Sequence, residues 1–337
     1  MNMRIKIAVT GSRGKSSVVR LLHVALSRCG LRTYTRVTGV VPRVLTPEGE
    51  KPILRFAPAS VDEMKWWLRI LPDDAEAVVM ENSAVAPELQ GFCAHCLTPD
   101  ATVLTNIRPD HEAYWGPNEN DVLNSLSPAL PQGGRIVVPE RLADYSPMRL
   151  VARERSLTLI GAHSVSGFAS HMADNVALAL ETCRIFGLNE KACLEAMMNM
   201  SPDLADFTVF DTHNGKLAFA FSANDVVTTE ELFKSTGWKR EETGVLFNHR
   251  SDRVDRFHTF EKWLSGHPWR EIVVIGDDPP ASSLDCEYFP CRTNEELRNR
   301  LNGLQWIGCG NTVYGLPLLF KLECEEKGVV GHRVILN

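Results

Sequence analysis

At 337 residues the chain exceeds one average domain, and 44% hydrophobic with 23% charged residues is the balance of a globular protein, which excludes a disordered or fibrous chain. Acidic residues outnumber basic ones by 42 to 36, for a formal charge of −6, and no Lys/Arg block stands out, so nucleic acid is excluded as an expected partner. No apolar run reaches the ~20 residues of a membrane-spanning helix, and the amino terminus enters a strand-like segment without a signal-peptide pattern, which points to the cytoplasm.

IKIAV at 5–9 is the first predicted strand. It runs through TGSRGKSS into a helix whose Val18, Leu21, Leu22, Ala25 and Leu26 share one face and which Gly30 closes. GSRGKSS at 11–17 thus follows a strand and opens a helix, as a phosphate-binding loop must. Its glycines, Gly11 and Gly14, let the N–H groups of the loop through Ser12 and Arg13 turn toward one point, and the helix start adds its positive end. Lys15 is placed to reach the β- and γ-phosphates of ATP, and the hydroxyl of Ser16, next to Ser17, to ligate Mg²⁺. The full pattern carries a glycine where this chain has Val9, so the loop is a shortened form.

Ser60 followed by Glu63 is a capping-box signature for the helix containing Trp66, Trp67 and Leu68. Nine cysteines are scattered, and Cys93 and Cys96, with His95 between them, form a CxxC without a second pair at zinc spacing, which reads as buried thiols on a helix face. AEAVVMEN at 75–82 and ATVLTNI at 101–107 are the next strands, each ending in polar residues at the edge where parallel sheets bind ligands. A γ-phosphate awaiting attack needs Mg²⁺ with oxygen or imidazole ligands. Glu81 closes one apolar strand at that edge, and His111, in TNIRPDHEAYWGP, follows the next, with Asp110 able to orient its ring. Local pattern alone favours a satisfied loop histidine at His111, so the metal reading there needs further support.

GRIVVP and LTLIG continue the strands, a helix is predicted from 173 to 186 with Gly187 as its stop, and a second near 190–200 ends at Ser201-Pro202. The polar SPDLADF that follows marks a boundary, dividing the chain into 1–204 and 205–337. TVFDTHNGKLAFAF reads as a hairpin turning at Asn214-Gly215. GVLFN, a helix near 253–265, EIVVIG, a helix near 294–302, WIGCG and a final helix then give a second, smaller α/β domain.

The ordered motifs resemble those of the Mur ligase superfamily, and most closely the ligase subunits of poly-γ-glutamate synthases of the PgsB/CapB type. TGSRGKSS, TGVVPRVLTPEG, ENSAVAPELQ and TNIRPDHEAYWGP correspond to segments of the ATP-binding domain, and ANDVVTTEEL, FNHRSDRVDR and GCGNTVYGLPLLFKLE to segments of the carboxyl-terminal domain. The resemblance implies a P-loop ATPase domain with a parallel-rich sheet over 1–204, followed by a Rossmann-like ligase domain over 205–337. It implies that Lys15 stabilises the transferring phosphate and that Ser16, Glu81 and His111 hold Mg²⁺. Asn106 is expected beside the nucleotide, Asn175 at its adenine side, Asp225 near the ribose, and Arg250 and Arg253 on a substrate carboxylate. Met172 replaces the first asparagine of the adenine-side motif, and VLNSLSPALP at 122–131 lacks the modified lysine of many Mur ligases, as the poly-γ-glutamate group does.

The implied activity is an ATP-dependent, ADP-forming ligase that binds ATP between its domains, activates a carboxylate as an acyl phosphate and joins it to the amine of glutamate. Implied partners are glutamate, a carboxylate or polymer acceptor, and a membrane-embedded subunit that would hold the chain peripherally at the membrane; a homo-oligomer stays open. A muropeptide substrate is disfavoured, because the phosphate loop is met without a preceding uridine-nucleotide domain. Two other readings are an amino-acid ligase similar to folylpolyglutamate or cyanophycin synthetases, and a nucleotide-binding regulatory or assembly ATPase. Product mass separates the first, and phosphate release independent of any amino acid would mark the second.

Overall fold

IKIAVT forms β1 (Ile5–Thr10), buried on both faces as a central parallel strand requires. The computed structural model describes residues 3–332 except 40, 56–58, 166–167, 169, 213, 224, 313–315 and 327–330. Its chain divides into two compact units, Met1–Ser201 and Pro202–Asn337.

The first unit adds β2 (Thr33–Val37), β3 (Arg43–Thr46), β4 (Gly49–Pro52), β5 (Ala77–Glu81), β6 (Ala101–Leu104), β7 (Arg135–Pro139) and β8 (Thr158–Ala162). They make one sheet in the order β4-β3-β2-β5-β1-β6-β7-β8, parallel from β2 to β8, with β3 and β4 as an antiparallel edge. β1 therefore lies between β5 and β6, with Val9 opposite Glu81 and Thr10 opposite Leu104. Three carboxyl ends open at one level, the place where such sheets receive ligands.

Val18, Leu21, Leu22, Ala25 and Leu26, the predicted face of helix Lys15–Arg28, are fully buried against Ile7, Val9 and Val79 and against helices Ser170–Ile185 and Glu190–Met198. Each of the valine and leucine side chains contributes roughly 1.5–3 kcal/mol, and Ala25 less. Helices Asp62–Arg69 and Phe92–Leu97 cover the opposite face through Met64, Trp67, Cys93 and Leu97. Cys93 is thus a core thiol, pushed up to about 12 by burial. Of the two adjacent tryptophans, Trp67 is buried and Trp66 exposed.

The capping box expected at Ser60 and Glu63 does not form, since helix Asp62–Arg69 has Val61 as its N-cap and no side-chain cap bond. The Ser60 hydroxyl accepts from the Asp62 N–H at 3.2 Å, and Glu63 reaches the Ser60 N–H at 3.4 Å. Stronger partners occupy Glu63: Arg36 at 2.8 Å, and Arg55 through two nitrogens at 2.8 and 2.9 Å. A charge-assisted bond to a buried arginine outweighs a neutral cap.

The second unit holds β9 (Thr208–Thr212), β10 (Gly215–Phe219), β11 (Thr243–His249), β12 (Glu271–Gly276), β13 (Glu287–Tyr288), β14 (Leu304–Gly310) and β15 (Gly331–His332), ordered β13-β12-β11-β14-β10-β9-β15. The run from β13 to β10 is parallel, and β9 returns antiparallel. Helices Val226–Ser235 and Val254–Ser265 cover one face, and Asn294–Leu301 and Leu316–Glu326 the other. The expected hairpin is present, but Gly215 is the first residue of the returning strand, paired with Thr212, and not part of the turn; His213 lies outside the described residues. Gly215 has φ +135°, and a Cβ there would stand 2.6 Å from the Leu304 carbonyl. Among the described residues no helix is long and apolar enough to cross a membrane.

Candidate active site

After Thr10 the chain turns through Gly11, at φ +128°, and Gly14, at φ +75°, before helix Lys15–Arg28 begins. Both positions exclude a side chain. A Cβ on Gly11 would fall 2.1 Å from Thr105 Oγ1, and one on Gly14 would fall 2.6 Å from Asn175 Oδ1.

The end of β6 grips this loop. Ser12 N–H donates to the Asn106 carbonyl at 3.1 Å, and its hydroxyl to Asn106 Oδ1 at 2.6 Å. Thr105 Oγ1 and Asn106 Nδ2 both donate to the Arg13 carbonyl, at 2.5 and 3.0 Å. Asn106, expected beside a nucleotide, therefore has its amide engaged in shaping the loop. Thr105 was not singled out from sequence, and its adjacency to Asn106 past a strand end is the signal that points to it.

Lys15 Nζ curls onto the loop, donating to the carbonyls of Gly11 at 2.6 Å and Ser12 at 3.2 Å. Burial pushes its ammonium below the ordinary lysine value, opposed by Glu81 and then Asp110. The lysine thus lies within the field of two carboxylates from two neighbouring strand ends.

Ser16, in the first turn, donates its hydroxyl to Glu81 Oε2 at 3.0 Å. The same oxygen accepts the Thr38 N–H at 2.8 Å, and Glu81 is almost wholly buried. Gly39 completes this corner, since a Cβ there would lie 2.6 Å from Ser16 Oγ. A pinned carboxylate beside a hydroxyl at the head of a phosphate loop is a hard-oxygen donor pair suited to Mg²⁺.

Asp110 anchors the segment that carries His111 to the phosphate loop. Its carboxylate pairs with Arg13 at 3.3 Å and accepts the His111 backbone N–H at 2.9 Å, while His111 Nε2 stands 3.8 Å away, beyond hydrogen-bond range. The Asp110 side chain therefore ties its segment to the loop and fixes the His111 backbone, with the His111 ring close by. His111 itself adopts φ +49°, an unusual conformation for a non-glycine that clusters at functional sites. Its ring lies 4.8 Å from Trp115, whose Nε1 donates to the Val85 carbonyl at 2.6 Å. Among the described residues no three His, Cys, Asp or Glu side chains converge as a metal-binding group.

In the second unit Asp225 is the N-cap of helix Val226–Ser235, accepting the Thr228 N–H at 2.8 Å. Arg250 pairs with Asp252 at 2.7 and 2.9 Å, and Arg253 closes the following turn by donating its N–H to the Arg250 carbonyl at 3.0 Å. At the ends of β11 and β14, Asn248 and Asn311 exchange side-chain-to-carbonyl bonds at 2.6 and 2.9 Å. Val40, Asn224 and residues 313–315, which belong to the recognised motifs, lie outside the described residues.

Known proteins resemble the chain in sequence and in fold. The family model "Mur ligase middle domain" matches residues 9–127, and "Poly-gamma-glutamate synthase CapB C-terminal domain" matches residues 204–313. The chain is 27% identical to PGA synthase CapB of Bacillus subtilis, over 95% of its own length and 90% of that protein. It is 28% identical to the capsule biosynthesis protein CapB of Bacillus anthracis, over 81% of its own length and 63% of that protein. The fold is similar to that of the bifunctional folylpolyglutamate synthase/dihydrofolate synthase of Yersinia pestis, with a TM-score of 0.68 at 14% identity over 97% of this chain and 90% of that one. With both family models matched in chain order, and a relative aligned over 95% of the chain, this protein belongs to the Mur ligase superfamily and is of the CapB type.

Proposed function

We propose that the chain is an ATP-dependent amide ligase that adds glutamate to a carboxylate acceptor in poly-γ-glutamate synthesis. The observation that carries this reading is the Ser16–Glu81 pair beside Lys15, on a chain whose second half matches the CapB carboxyl-terminal domain. In it, residues 1–204 bind ATP and residues 205–337 serve the incoming amino acid.

The loop N–H groups and the start of helix Lys15–Arg28 receive the phosphates, and Lys15 leaves the Gly11 and Ser12 carbonyls to neutralise charge on the γ-phosphate. Ser16 and Glu81 are the residues that would hold Mg²⁺, with His111 as a third ligand from the next strand end. That ion, when bound, would screen the β- and γ-phosphate oxygens. Attack of the acceptor carboxylate on the γ-phosphate yields an acyl phosphate and ADP, and the amine of glutamate then displaces phosphate to form the amide. Asn106, Asn175 and Asp225 are assigned to the nucleotide, and Arg250 and Arg253 to a substrate carboxylate. The family resemblance also supports a cytoplasmic chain working with a membrane-embedded subunit.

Incubating the protein with ATP, Mg²⁺, glutamate and either an oligoglutamate or a folate acceptor, and scoring phosphate release alongside product mass, tests the assignment. Growth of the oligoglutamate by whole glutamate units is expected, falling on the order of a hundredfold in Lys15→Ala. Extension of the folate alone would move the chain to the folylpolyglutamate class, and undiminished ligation by Lys15→Ala would remove the phosphate site.

A further inference from the structure

Far from the phosphate loop, three thiols meet. Cys29 is the C-cap of helix Lys15–Arg28, Cys183 lies on helix Ser170–Ile185, and Cys193 on helix Glu190–Met198. The sulfurs of Cys29 and Cys193 are 3.5 Å apart although 164 positions separate them in the chain. Cys183, on the neighbouring helix, is coupled to the same Cys193 sulfur. Cys183 and Cys193 are fully buried, whereas Cys29, at its helix end, is partly exposed.

Donation from Cys183 draws Cys193 down to about 7, with burial opposing and Cys29 adding to the effect. Burial and the bond to Cys193 raise Cys29, and the bond to Cys193 and burial raise Cys183. A thiolate in this cluster therefore forms on the middle sulfur. Simple packing would account for buried thiols, but a partly exposed thiol whose sulfur stands 3.5 Å from a buried one also offers a route from solvent to the pair.

We propose that Cys29 and Cys193 form a thiol–disulfide exchange site, Cys29 as the entry thiol and Cys193 as the resolving thiol, which closes to a reversible disulfide with a low-molecular-weight disulfide as oxidant. Cys29, the partly exposed sulfur and so the one a small disulfide can reach, loses its proton as it attacks one sulfur of that disulfide, forming a mixed disulfide and releasing one small thiol. The Cys193 thiolate then attacks the Cys29 sulfur and displaces the second. Two protein thiols are oxidised, one small disulfide is reduced to two thiols, and two protons pass with them. The new bond is about 1.5 Å shorter than the present separation, a shift within side-chain adjustment.

Closure would fasten the far end of the loop helix to helix Glu190–Met198, just before the chain reaches Ser201 and leaves the first unit. That junction is already held from the same helix, where Arg20 Nη2 donates to the Ser201 carbonyl at 2.6 Å.

The test treats the purified full chain with oxidised glutathione, blocks the remaining thiols, digests without reduction and maps the peptides by mass. A Cys29–Cys193 linked pair that dithiothreitol reverses is expected in the wild type, which requires no variant to fold. Cys29→Ser should abolish the link, Cys193→Ser should leave glutathione on Cys29, and Cys183→Ala should still form the link. A wild-type chain whose Cys29 stays free after treatment, or a Cys183–Cys193 link in its place, overturns the proposal.

Discussion

Ser16 and Glu81 stand 65 positions apart in the chain, and their side chains meet at 3.0 Å. The sheet makes this meeting, because β1 and β5 are adjacent and Val9 is in register with Glu81. A residue on the first turn after β1 therefore faces the last residue of β5. The Thr38 N–H supplies the second donor to the same carboxylate oxygen, so Glu81 is held in one orientation before any substrate arrives.

Glu81→Gln tests whether this carboxylate acts through its charge. The amide retains an oxygen that can accept from Ser16 and Thr38, so the unit should fold. Glutamate-dependent phosphate release should fall on the order of a hundredfold, with a higher Mg²⁺ requirement. A variant that turns over at the wild-type rate across a Mg²⁺ titration would exclude Glu81 from the reacting centre.

Gly11→Ala should both destabilise the first unit and impair nucleotide binding. The added Cβ would meet Thr105 Oγ1 at 2.1 Å and the Thr105 nitrogen at 2.9 Å, with φ at +128°. Gly30→Ala is the matched control, since Gly30 has φ +83° but no atom within 4 Å of where its Cβ would lie. Denaturant titration should give about 1–2 kcal/mol for the control and a clearly larger loss for Gly11→Ala. Equal losses would mean that Thr105 yields without resistance.

The phosphate loop, Glu81 and the strands on either side were legible because buried parallel strands read as apolar runs that stop abruptly at polar residues. β2 was not, although it lies inside the same sheet. Its TYTRV buries Thr33, Thr35 and Arg36, and only the pairing of Arg36 with Glu63, across 27 positions, makes that tolerable. The β3–β4 hairpin escaped for a similar reason, since GEKP is exposed throughout and carries no strand periodicity. In the site, the Arg13–Asp110 pair and the Thr105 clamp depend on the β1–β6 register, which composition and spacing do not encode.

Asp225 separates a helix cap from a nucleotide contact. Its Oδ1 already accepts the Thr228 N–H at 2.8 Å. Asp225→Ala should lower stability by about 1 kcal/mol through loss of the cap, whereas Asp225→Asn preserves the acceptor and should leave stability nearly unchanged. The proposed ribose contact predicts that Asp225→Asn nevertheless raises the KM for ATP. An unchanged KM in the asparagine variant would confine Asp225 to capping.

Acid sensitivity in the first unit should trace in part to His23. Its Nδ1 lies 2.9 Å from Thr35 Oγ1 on β2, and burial pulls the imidazole from 6.5 down to about 4. The folded state therefore favours the neutral ring, while the unfolded chain takes up a proton as pH falls through 6.5. Stability from this group is complete above about pH 6.5 and declines toward pH 4, by on the order of 2–3 kcal/mol. His23→Gln keeps a hydrogen-bonding group facing Thr35 but does not titrate, so its stability should vary less with pH across that window. Denaturant unfolding of both proteins at several pH values measures the difference, and parallel pH profiles would show that the His23 ring is not the group that titrates.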